Sequence, residues 1–200
     1  MAGGVSILEK VALVFSSLKG NEIYGHLFEN PRTGLERNIY WNLSARTGWL
    51  PFTGRLIGVE WLTFNVRSWT ELNAADPADV LRPDRVEASA YIDGQHWSLD
   101  LDQLTLKRVG RSADFRIRLR GHVASDQPGP LPRFKFKIER KIRFTGIVVV
   151  PESLGLDPSS PEEASAAVSV FIQISNLTNP SPRGGFSYVL RPLTGGDKVK

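Results

Sequence analysis

Two stretches of the chain alternate apolar and basic residues with a period of two. One is Phe115-Arg116-Ile117-Arg118-Leu119-Arg120; the other starts Arg133-Phe134-Lys135-Phe136-Lys137-Ile138 and runs on through Glu139-Arg140-Lys141-Ile142-Arg143. Successive side chains of an extended strand point to opposite faces, so each stretch buries an apolar edge and presents a row of Lys and Arg on the other. Residues 107–143 hold four Lys and eight Arg against Asp114, Asp126 and Glu139, a net of +9, while the rest of the chain is net −5. The chemistry of such rows is anion recognition, with the planar guanidinium fork matched to carboxylate or phosphate. Arg116, Arg118, Arg120, Lys135, Lys137 and Arg143 are therefore the candidate partner- or anion-binding residues.

Three occupants of that face compete. The plainest is solvent with ordinary ion pairs. A hairpin through Gly110-Arg111 would set Asp100 and Asp102 opposite Arg118 and Arg120, and such cross-strand pairs contribute roughly 0.2–1 kcal/mol each. Two Asp cannot neutralise both rows. The second occupant is an acidic protein surface, including the acidic segments of a second copy at 76–84 or at Glu162-Glu163. The third is nucleic acid, but Phe115, Phe134 and Phe136 fall on the core-facing parity, where they cannot stack on bases.

Other chemistry has less footing. His96, Asp100 and Asp102 share a parity, but strand rise puts the two Asp about 7 Å apart and His96 about 13 Å from Asp100, too far for one metal. His26 and His122 stand alone and read as hydrogen-bonded structural residues. Phosphate-binding, dinucleotide-binding, zinc-protease, calcium-loop and nucleophile-elbow motifs are all absent from the sequence, so no catalytic residue, metal or cofactor is assigned. A carbohydrate-binding or hydrolytic site remains open if two carboxylates among Glu60, Glu87 and Asp93 meet in a pocket beside Trp61, Tyr91 or Trp97. The five Trp read mainly as core and loop packing, with a sugar-stacking or protein-contact platform around Trp41, Trp49 and Trp69 as the alternative.

The elements that must carry these residues are strands. Segments 22–29, 35–43 and 55–66 are rich in aromatic and branched residues and are separated by Pro/Gly turn clusters. Segments 86–92 and 96–101 flank Asp93-Gly94, a two-residue hairpin signal, and 104–109 continues the second after a parity slip at Gln103 that marks a bulge. Segments 115–123, 134–150, 168–175 and 186–190 complete about ten strands, with loops at 73–84, 125–132 and 176–185. Ser160-Pro161-Glu162-Glu163 predicts a capped short helix over 161–167. The first 20 residues read as an amphipathic helix opened by Ser6-Ile7-Leu8-Glu9, with a strand over 11–18 as the competitor, and the tail 193–200 is polar.

At 200 residues, 41% hydrophobic and 23% charged, the chain is long enough to bury one core, and the expected fold is a single all-β domain: an antiparallel β-sandwich or barrel with one or two short helices. The absence of Cys removes disulfide and thiolate chemistry and fits a reducing compartment; no secretion signal or membrane span is apparent. The expectation is a cytoplasmic, non-catalytic structural or interaction subunit, or one packed in a particle released from the cytoplasm. It docks protein partners or copies of itself through the basic face and Pro-rich loops. A nucleic-acid-binding accessory domain is the alternative, and no cofactor or membrane is implied.

Overall fold

The computed structural model describes residues 19–47, 55–74, 86–92, 95–123 and 134–193. Expectations that fall on the N-terminal 18 residues, Trp49, most of the 73–84 loop, Asp93-Gly94, the 125–132 loop and the tail from 194 lie outside them.

Among the described residues nine strands follow in order: β1 (Lys19–Asn30), β2 (Leu35–Thr47), β3 (Arg55–Leu62), β4 (Glu87–Ile92), β5 (Gln95–Arg108), β6 (Asp114–Val123), β7 (Phe134–Val149), β8 (Ser181–Pro182) and β9 (Tyr188–Leu190). Strands β1 to β6 each pair antiparallel with the next, and β1 then runs parallel to β7 from Glu22↔Arg143 to Leu27↔Val149. The hydrogen-bond ladder thus closes into a seven-strand barrel, with no edge left between β1 and β7. Past Phe144, β9 replaces β6 along the other edge of β7, pairing at Ile147↔Leu190 to Val149↔Tyr188, and β8 lies outside it. Gly146, at φ +130°, sits at this exchange of neighbours; a Cβ there would strike the Leu190 backbone.

The all-β expectation holds, and alternation explains it. In β6, Phe115, Ile117, Leu119 and Val123 are buried while Arg116, Arg118 and Arg120 are exposed. The barrel is filled: Trp41, Trp69, Phe115 and Phe144 are all 1% exposed or less and pack as one aromatic group. Ring centroids lie 5.0 Å apart for Trp69–Phe144, 5.8 Å for Trp41–Phe144 and 6.5 Å for Trp69–Phe115. A partly open space of about 30 Å³ remains beside Leu43, Ile57, Ile117 and Ile138, lined also by Asn21, Glu22 and Arg140, with room for roughly one water. A stacking platform built on Trp41 and Trp69 is therefore overturned, since both rings are core.

Two further expectations change. Residues 168–175 form no strand: the helix α1 (Pro161–Ser169) carries on through Val168, and Phe171 and Ile172 then bond back to its carbonyl. Val168 and Ile172 are buried at a four-residue spacing, so the branched run is helical in period and not alternating. The cap forms as expected on one side, Ser160 Oγ accepting from Glu163 N at 3.2 Å, but Glu163 closes on Asp157 N instead of on Ser160 N.

Candidate functional site

The basic face is the outer surface of β5, β6 and β7. Cross-strand register sets Lys107, Arg116 and Lys141 in one row, Thr105, Arg118 and Glu139 in the next, and Gln103, Arg120 and Lys137 in the third. Rows follow one another about 7 Å along the strands and neighbours within a row lie about 5 Å apart, so the cations form a grid. The pairing of Asp100 and Asp102 with Arg118 and Arg120 is overturned. The bulge between Leu101 and Gln103, expected from the parity slip, shifts the register so that Asp100 faces His122 and Asp102 binds His122 Nδ1 at 3.2 Å.

Neutralisation within the grid is partial. Arg118 grips Glu139 with both ends of its fork, Nε to Oε2 at 3.1 Å and a second nitrogen to Oε1 at 3.2 Å. That bond, with the nearby charges of Arg118, Arg116 and Lys137, holds the Glu139 carboxyl below its usual range. Lys141 pairs with Asp114 at 2.8 Å. Two other cations are drawn into the structure: Arg108 lies over the Trp69 ring at 4.6 Å, and Arg140 takes the parity of Ile138 and Ile142 and is half-buried. Lys107, Arg116, Arg120, Lys135, Lys137 and Arg143 remain exposed with no ion pair among the described residues. Arg120 and Lys137 are directly opposite each other, an arrangement that destabilises a sheet on its own.

Of the six expected residues, Arg116, Arg118, Arg120 and Lys137 come together at the centre of the face. Lys135 lies at one end beside His122, and Arg143 at the other opposite Asp114. Lys107 and Lys141 belong to the same grid; the signal that finds them is their parity with Arg116 across a hairpin. Phe115 and Phe136 are buried, as their parity requires, so these two rings offer no stacking surface.

A second group of polar residues gathers on the outer face of β3, β4 and the start of β5. Glu60 and Glu87 are directly opposite across the β3–β4 ladder, followed by Gly58↔Ser89, and on the next ladder by Ser89↔Ser98 and Tyr91↔His96. They line an open cleft of about 450 Å³. Burial, and secondarily the Glu87 charge, pushes the Glu60 carboxyl above its usual range. Tyr91 is 45% exposed, its ring 4.9 Å from the His96 imidazole. Trp61 turns away from the cleft. At φ +63° it forms a bulge after Glu60, donates its backbone N–H to Asn42 Oδ1 at 3.3 Å, and packs on Phe28 and Tyr40 at 5.1 and 5.7 Å. Trp97 is half-buried on the inward parity and does not line the cleft.

The histidines separate completely. His26 packs its ring 5.2 Å from that of Phe28 with its Nε2 buried and without a hydrogen-bond partner, and burial with the Arg183 charge holds its pKa down. The expected hydrogen bond at that nitrogen is not made. No three metal-ligating side chains converge among the described residues, and no helix there is long and apolar enough to cross a membrane. No protein-family model, curated protein or solved structure matches this chain.

Proposed function

We propose that the chain is a non-catalytic interaction protein that docks an acidic protein surface on the outer face of β5–β7. The fold is read as a barrel and not as a two-sheet sandwich, because seven strands pair in an unbroken ring. One observation carries the reading: six exposed cations on a single sheet face form no ion pair among the described residues, and four of them face each other as like-charged pairs, Lys107 with Arg116 and Arg120 with Lys137. A sheet face that repels itself gains when a partner supplies carboxylates, and the gain appears as fast, salt-sensitive association. The buried Phe115 and Phe136 favour a protein partner over single-stranded nucleic acid, which is held largely by stacking.

The test is recovery of partners on the tagged chain from an extract of the cells that make it, with and without nuclease. A protein partner retained after nuclease, released above about 0.5 M salt and lost from the variant Arg116→Glu/Arg120→Glu/Lys137→Glu supports the reading. Loss of all binding on nuclease treatment assigns the face to nucleic acid instead. Equal recovery by the variant removes the basic face from the account.

A further inference from the structure

The cleft on β3–β5 has no part in that docking reading. Its walls combine three features. The first is a pair of carboxylates, Glu60 and Glu87, at directly opposed ladder positions, where like charges repel. None of the described cations forms an ion pair with either, although the protein has a surplus of Lys and Arg elsewhere. The second is an exposed aromatic wall, Tyr91 against His96. The third is volume: about 450 Å³ is within the range of small-molecule sites.

We infer that this cleft binds an organic cation, an ammonium or guanidinium group carried on a short apolar stem. The charged head sits between Glu60 and Glu87 and removes their repulsion; the stem lies along Tyr91, whose ring face attracts a cation as well as burying methylene groups. A neutral sugar would stack on Tyr91 equally well but would leave the two carboxylates uncompensated. A metal ion finds only this pair, since His96 does not converge with them as a third ligand. Ser89 and Ser98, between the carboxylates and the aromatic wall, supply hydroxyls at mid-cleft.

The test is calorimetric titration of the purified chain with agmatine and with spermidine at low salt, paired with the melting temperature in the presence and absence of each. Saturable binding to the native protein is expected. It should weaken at least tenfold in Glu60→Gln or Glu87→Gln and disappear in the double variant, and it should weaken severalfold in Tyr91→Ala. Without ligand, the double Gln variant should melt at or above the native temperature, because it loses a repulsion; this keeps loss of binding separate from loss of fold. With ligand, only the native protein should gain stability. Binding of neither probe to the native protein, or binding kept within threefold by the double variant, overturns the inference.

Discussion

Asp114 shows how the basic face tethers its few acids. Its carboxylate takes a hydrogen bond from Lys141 at 2.8 Å, which is the main cause of its lowered pKa; the charges of Lys141 and Arg143 and the Ser112 hydroxyl add to it. A carboxyl whose pKa is lower folded than unfolded stabilises the fold above its unfolded value, about 3.9, and loses that contribution as pH falls through the folded one. The melting temperature of Asp114→Asn should therefore lie below that of the native chain near about pH 6.5, and the gap should narrow as the pH falls below about 3.9. A gap unchanged at the acid end would show that the substitution acts by packing. At this scale the sequence is a good guide to which side chains are charged and outward, and a poor guide to which of them meet. Glu60 and Glu87 are 27 positions apart, and only the β3–β4 register makes them neighbours. Trp61 sits beside Glu60 in sequence, yet a bulge sends its ring toward Phe28 and Tyr40.

Elements are fixed by period, and bulges decide how they fit. Strand β6 was legible because its alternation is strict from Phe115 to Arg120; residues 168–175 were not, because a branched run such as Val168-Ser169-Val170-Phe171-Ile172 suits a strand locally while its buried positions follow a helix. The slip at Gln103 announced a bulge, but parity alone does not say which residue then faces which, so the Asp100 and Asp102 partners were misassigned. Gly121 shows what the bulge demands. A Cβ at this position would overlap the Asp100 carbonyl on β5, so backbone meets backbone with no side chain able to yield. Gly121→Ala should cost about 2 kcal/mol or more in denaturant unfolding, whereas Gly58→Ala, whose nearest neighbours stand 3.8 and 4.0 Å away, should cost well under half of that. Equal costs would mean that β5 relaxes around the new methyl group.

The whole molecule is polarised. Around the seven-strand ring, β3–β4 with Glu60 and Glu87 lies three strands from β6–β7 with its cation grid, so acidic and basic faces look in different directions. Parallel closure of β1 on β7 joins residues more than a hundred positions apart, a contact to which local periodicity is blind. With the ring closed, β6 and β7 commit their apolar sides to a filled core and turn Arg116, Arg118, Arg120 and Lys137 outward. Such a face is either matched by carboxylates from outside or left to repel itself in water. The most direct measurement is the native mass of the chain, by size exclusion with light scattering, in a nuclease-treated extract of its own cells at about 0.15 M salt. The native chain should run at a mass above that of the monomer, and Arg116→Glu/Arg120→Glu/Lys137→Glu should collapse to the monomer. A native chain that runs as a strict monomer, or a variant that keeps the native chain's larger mass, would contradict docking through the basic face.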